Sequence, residues 1–223
     1  EGAKVIIADL NAAAGERVAK ALGANAKAVA TDVANRDSVA AMVKTCIDSF
    51  GVPDIVINNA GTTHKNQPML QVDEKTFDRM FAVNVKSIYY MAHAVIPAMR
   101  ERGQGGVMLN VGSTAGIRPR PGLSWYNGSK GAVNLLSKAM AVELAPDRIR
   151  VNALCPVMGA TGLLADFMGV PDTPENRAKF VSTIPLGRFC EPRDMAAAAV
   201  FLGTDAAEFL TGLEFPVDGG RTI

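Results

Sequence analysis

The sequence predicts an α/β fold: one domain over residues 1–223, with a parallel sheet between two layers of helices. Three observations predict it. Short β-branched runs alternate with longer helical patterns along the chain. The runs are apolar on successive residues, as in strands covered on both faces. No linker, repeat or charge block divides the chain. Alternation of this kind builds right-handed crossovers between parallel strands.

Taken in order, the first run covers residues 4–8 and closes on Asp9, and a helical pattern over 12–22 stops at Gly23. A second strand, 26–30, runs into Thr31-Asp32-Val33, and a helix over 36–50 ends before Gly51. Strand 54–57 leads to Asn58-Asn59-Ala60-Gly61. One long helix is expected over 73–101, with Gly103 as its stop. Strand 106–111 precedes Gly112-Ser113-Thr114, and the helix over 124–144 stops before Pro146. Strand 150–154 comes next, then helix 193–202 and strand 214–217. Residues 156–187 break the rhythm with Pro156, Pro171, Pro174 and Pro185 among Gly159, Gly162 and Gly169. A late segment with so much backbone punctuation is expected to form a lid over a ligand site. Its apolar residues Leu163, Leu164, Phe167, Met168 and Phe180 suit either a partly apolar pocket or packing on the sheet.

Composition narrows the function. Hydrophobic residues make up 48% and charged residues 20%, and the net charge of +1 supplies no field for nucleic acid or an anionic membrane. The longest apolar runs, such as 195–202, fall short of the roughly 20 residues that span a bilayer. Cys46, Cys155 and Cys190 are odd in number and far apart, which reads as reduced thiols in a cytoplasmic protein. With only His64 and His93, neither a histidine zinc site nor a Ser-His-Asp triad is expected, and no metal is. No signal peptide is read at the N-terminus, where the chain passes directly into its first strand.

Four segments carry chemistry. Tyr126 and Lys130 are four apart in a helix, which sets both on one face. A tyrosine is a poor base at neutral pH, and a nearby ammonium lowers its pKa; two or three units require about 3–4 kcal/mol. By spacing alone the pair suits a helix surface equally well. Ser113 comes after an apolar strand, at the carboxyl end where open α/β sheets bind ligands; a serine there can hold a substrate oxygen or merely form a turn. Asp9 ends the first strand, where an acid accepts hydrogen bonds from adenosine ribose hydroxyls and repels a 2′-phosphate. It also suits a helix cap. Asn58-Asn59-Ala60-Gly61 lets backbone approach a ligand closely, or makes a plain turn.

In order and spacing, Asp9, Asp32-Val33, Asn58-Asn59-Ala60-Gly61, Asn84, Ser113, Tyr126-x-x-x-Lys130, Arg150-Val151-Asn152-Ala153 and Val217-Asp218-Gly219-Gly220 together resemble the short-chain dehydrogenase/reductase family over essentially the whole chain. The resemblance implies a Rossmann-like doubly wound fold and hydride transfer between NAD(H) and a secondary alcohol or ketone. It implies Tyr126 as general acid/base, Lys130 holding the nicotinamide ribose and lowering the tyrosine pKa, Ser113 orienting substrate and Asn84 keeping a relay water. Asp32 and Val33 would contact adenine, and Asn59, Ala60 and Gly61 would line the cofactor. Further cofactor contacts fall on Pro156, Met158, Gly159 and Thr161, although Val157 stands where the family often has glycine.

Asp9, with no compensating cation at Leu10 or Asn11, favours NAD over NADP. A homotetramer or homodimer is implied by kinship, and no nucleic-acid or membrane partner is. The family's opening strand and Thr-Gly-x-x-x-Gly-x-Gly turn are missing. They would lie centrally, between the strand ending at Asp9 and the one ending at Ile57, so the natural protein is expected to carry an N-terminal piece before Glu1. Two other readings stay open: a 3-oxoacyl-thioester reductase using NADPH, and a non-catalytic dinucleotide-binding protein.

Overall fold

The structure is a computed structural model describing residues 2–160 and 162–223. Strands β1 (Val5–Asp9) and β2 (Ala26–Ala30) form a two-stranded parallel sheet. Strands β3 (Ile55–Asn58), β4 (Gly106–Val111), β5 (Ile149–Pro156) and β6 (Glu214–Val217) form a four-stranded parallel sheet in that order. Helices α1 (Ala12–Leu22), α2 (Arg36–Phe50), α3 (Glu74–Phe81), α4 (Ser87–Arg102) and α5 (Ser124–Leu144) alternate with the strands. After β5 come α6 (Leu164–Met168), α7 (Pro174–Val181) and α8 (Pro192–Gly203). Asn11 and Asn35 each cap a helix with the side chain, accepting from Ala14 N and Ser38 N.

β4 explains the three layers. Its neighbours Val107, Met108 and Leu109 are all buried, yet they serve different cores. Met108 joins Met42, Val95, Met99, Ala141 and Val151 on the side of α2, α4 and α5. Val107 and Leu109 join Leu154 and Leu202, on the side of α8. Successive strand residues point to opposite faces, so a strand covered on both sides must be apolar throughout. Burying each such side chain contributes about 1.5–3 kcal/mol. Ile6 of β1 and Val29 of β2 pack against the first of these cores, which ties the smaller sheet to the larger.

The expected helix over 73–101 is not continuous. α3 ends at Phe81, a π-helical turn runs over Ala82–Lys86, and α4 begins at Ser87. A π turn carries an extra residue, which rotates the helix beyond it, and such turns concentrate at functional positions. Asn84 sits in it, turned inward and 3% exposed.

Asn110, fully buried at the end of β4, joins strand to helix. Its amide donates to Ser137 Oγ of α5 at 2.9 Å, and its Oδ1 accepts from Asn58 Nδ2 at 2.8 Å. A buried amide partnered on both ends costs little, whereas one left unpaired would cost about 1–3 kcal/mol.

Candidate active site

α5 supplies one wall of the site. Eight of its residues are buried, including the polar set Tyr126, Ser129, Lys130, Asn134 and Ser137. The helix lies close to the turn after β4. There Asn134 donates to Ser113 O at 3.4 Å and accepts from Cys155 Sγ, and a Cβ at Gly112 would collide with Asn134 Oδ1. Only glycine fits that position.

This approach brings Ser113, Tyr126 and Lys130 together on a cavity of about 650 Å³. Tyr126 is 8% exposed and Lys130 5%. Lys130 Nζ lies 6.0 Å from the Tyr126 ring centroid and donates to Val111 O at 2.7 Å. Asn84 donates to Thr62 O at 2.9 Å and to Ser129 Oγ at 3.0 Å, while its Oδ1 accepts from Thr62 N. Ser129 in turn donates to Tyr126 O. The π turn, the segment after β3 and α5 are thereby clamped around one point.

Burial governs the titration of the pair. It pushes the Tyr126 phenol up to about 12, against a hydrogen bond to Ser113 and the charge of Arg120, which pull it down. Burial also lowers the Lys130 ammonium to about 8. The opposing influences on Tyr126 thus come first from Ser113 and Arg120, where the sequence pointed to Lys130. The raised value leaves the phenol protonated throughout the neutral range.

Of the cofactor positions read from the sequence, Asn59, Ala60, Gly61, Pro156, Met158 and Gly159 line the same cavity as Tyr126 and Lys130. Asp9, Asp32 and Val33 are not among its lining residues. Asp9 ends β1 with Oδ1 accepting from Asn11 N, and Asp32, just past β2, accepts from Ala34 N. Thr161 lies outside the described residues. The cavity suits a nicotinamide nucleoside in its donors: Lys130 uses one hydrogen on Val111 O and keeps two for hydroxyl acceptors, beside side-chain-free backbone at Gly61.

Phe167 was expected only as one of the apolar lid residues, while Asn66 and three arginines escaped the sequence reading. Phe167 of α6 stands 5.0 Å from Tyr126, ring edge to face, so the segment after β5 touches the phenol. Asn66 donates to Pro121 O and Phe167 O, joining the loop before α5 to α6, and a Cβ at Gly122 (φ +76°) would strike it. Arg118, Arg120 and Arg221 line the cavity from two separate places in the chain. Asn134 and Ser137 had a readable signal, polar residues at helical spacing on the face that carries Tyr126 and Lys130. Of the apolar lid residues, Leu163 and Phe167 line the cavity, while Leu164 and Met168 are buried.

Comparison with known proteins agrees with this architecture. A family model described as Enoyl-(Acyl carrier protein) reductase matches residues 1–222. The chain is 49% identical over 230 residues to 4-formylbenzenesulfonate dehydrogenase of Comamonas testosteroni, covering 100% of this chain and 89% of that one. It is 36% identical over 226 residues to 2-(S)-hydroxypropyl-CoM dehydrogenase 3 of Xanthobacter autotrophicus, covering 100% and 88%. The crystal structure of 3-ketoacyl-(acyl-carrier-protein) reductase from Brucella melitensis complexed with NADH matches with a TM-score of 0.93 and 46% identity, over 100% of this chain and 89% of that one. With the parallel sheets, their flanking helices and this conjunction of residues, the chain belongs to the short-chain dehydrogenase/reductase family of nicotinamide-dependent oxidoreductases.

Proposed function

We propose that the protein interconverts an alcohol and its carbonyl compound with NAD(H), with Tyr126 as the group that moves the proton. The observation that carries this reading is the conjunction of Tyr126, Ser113 and Lys130 on one buried cavity wall. A bound nicotinamide supplies or accepts the hydride. Ser113 Oγ and Tyr126 Oη hold the substrate oxygen. In reduction the phenol donates its proton as negative charge develops on that oxygen; in oxidation the phenolate takes the hydroxyl proton. Lys130 holds ribose hydroxyls with its free hydrogens, and Asn84, braced by Thr62 and Ser129, keeps a water in line to replace the proton.

NAD rather than NADP is supported by Asp9, whose carboxylate would repel a 2′-phosphate, and by the NADH in the Brucella reductase. Residues 156–187 act as the lid, with Phe167 closing over the phenol. Assembly into dimers or tetramers is supported by Leu135 and Val142 of α5, which are 68% and 80% exposed. A 3-oxoacyl-thioester substrate is the second reading, favoured by the likeness to the Brucella enzyme.

Replacing Tyr126→Phe tests the assignment. Carbonyl reduction with NADH should fall by about 10²–10⁴-fold while NADH affinity stays within about threefold. A variant retaining most of its turnover would remove Tyr126 from the mechanism. The same assay run with NADPH should give the lower kcat/KM, and a preference for NADPH would favour the thioester reading.

A further inference from the structure

Three guanidinium groups line the cavity that holds Tyr126, and none is paired with a carboxylate among the described residues. Arg118, Arg120 and Arg221 all line it, alongside Tyr126. Among the described residues none of them takes part in an ion pair, and the one acid in the lining, Glu191, pairs with Arg193. The Arg118 and Arg120 side chains and the backbone at Arg221 are held in place. Arg118 Nη1 donates to Arg221 O at 2.9 Å. The turn carrying Arg221 is fixed by the buried Asp218, which accepts from Gly220 N, Thr222 N and Thr222 Oγ1. The Arg120 guanidinium stacks on the Phe180 ring at 4.8 Å.

Arg120 and Arg221 also line a second cavity of about 380 Å³, together with Lys179. They therefore stand at the boundary between the space over Tyr126 and an outer, equally cationic space. Burial and the charge of Arg221 both press on Arg120, lowering its pKa. Gathering like charges in a partly desolvated place is costly unless an anion completes it, and guanidinium is the side chain best shaped to grip an oxyanion.

We infer that the substrate carries an oxyanionic head, a carboxylate, sulfonate or phosphate, held by Arg118, Arg120 and Arg221 while its reacting carbon lies at Tyr126. The inference rests on the dehydrogenase reading for the reacting carbon, but the anion subsite can be tested without turnover.

Isothermal titration of the protein saturated with NADH should find benzenesulfonate binding at least tenfold more tightly than benzenesulfonamide, its neutral counterpart. Benzoate and phenyl phosphate, run alongside, rank the three anions. Arg120→Gln and Arg221→Gln should each reduce the sulfonate-to-sulfonamide ratio at least threefold. The ratio on the unaltered protein stands as evidence even if a variant folds poorly. Equal affinity for the two compounds overturns the subsite, as does one-for-one displacement of NADH by benzenesulfonate, which would put the anion at the cofactor's phosphates. NADH-dependent reduction of 4-formylbenzoate against its methyl ester then separates the two readings. Faster turnover of the free acid supports both. Tight sulfonate binding with no turnover of either aldehyde, nor of a panel of ketones, supports the subsite and overturns the dehydrogenase reading.

Discussion

The two walls of the cavity are built on opposite plans. The α5 wall is buried and cross-braced: eight buried residues, Asn84 and Asn134 tied to neighbouring segments, and Asn110 joining strand to helix. The opposite wall, contributed by residues 156–191, rests on short helices, of which α7 buries no residue at all, and on exposed ion pairs such as Arg177–Asp172. Proton transfer demands fixed geometry, so the chemistry belongs on the braced wall. In the proposed function, substrate choice would fall to the other wall, whose lighter packing suits a surface that moves to admit ligand. Ties between the two include Asn66, the Phe167–Tyr126 ring contact and the Arg120 guanidinium on the Phe180 ring.

The largest effect should come from the braced wall. Lys130→Met should cut turnover about 100-fold and yet stabilise the fold near neutral pH. Burial holds the Lys130 pKa at about 8, below its ordinary 10.5. Between those values the unfolded chain binds the extra proton and the folded chain does not. This group's contribution to stability therefore grows as pH rises from 8 to 10.5 and is least favourable below 8. The variant's advantage in unfolding free energy should be about 2–3 kcal/mol larger at pH 7 than at pH 10. An advantage that does not change with pH would mean that burial does not set the lysine's charge.

A smaller effect should come from loosening one of these ties. Asn66→Ala removes the side-chain bonds to Pro121 O and Phe167 O and loosens α6 from the loop before α5, leaving the backbone bonds of this segment to Asp166 O and Gly122 O. KM should rise several-fold with kcat within about twofold, since the phenol and its bracing are untouched. A matching loss in kcat would show that the lid also sets the geometry of the chemistry. The smallest effect belongs to the outer wall. Asp172→Asn breaks an exposed pair with Arg177, so Tm should not move measurably. A clear drop in Tm would show that the outer wall is held more firmly than its packing implies.

Legibility in the sequence divides along the same line. The alternation that identifies β4 works because Val107, Met108 and Leu109 are buried on both faces of a parallel sheet. Tyr126 and Lys130 were readable because both lie on one helix, where spacing translates directly into a face. Asn84 could be named but not its setting: apolar residues recur on both sides of the π turn, and nothing in the pattern over 73–101 marks where the extra residue shifts its phase. Arg118, Arg120 and Arg221 left no signal because two loops some hundred residues apart bring them together. Asp9 ends β1 and Asp32 follows β2, yet neither lines the cavity that gathers the rest.

The central claim is that a phenol held protonated by burial is the proton carrier, and the pH profile of alcohol oxidation with NAD tests it most directly. With the Tyr126 pKa pushed up to about 12, the phenolate fraction increases through the accessible range. The logarithm of kcat/KM should therefore climb steadily from pH 7 to pH 10, and the slope should vanish from the residual activity of Tyr126→Phe. A flat profile in the parent, or the same slope surviving in the variant, would contradict the account.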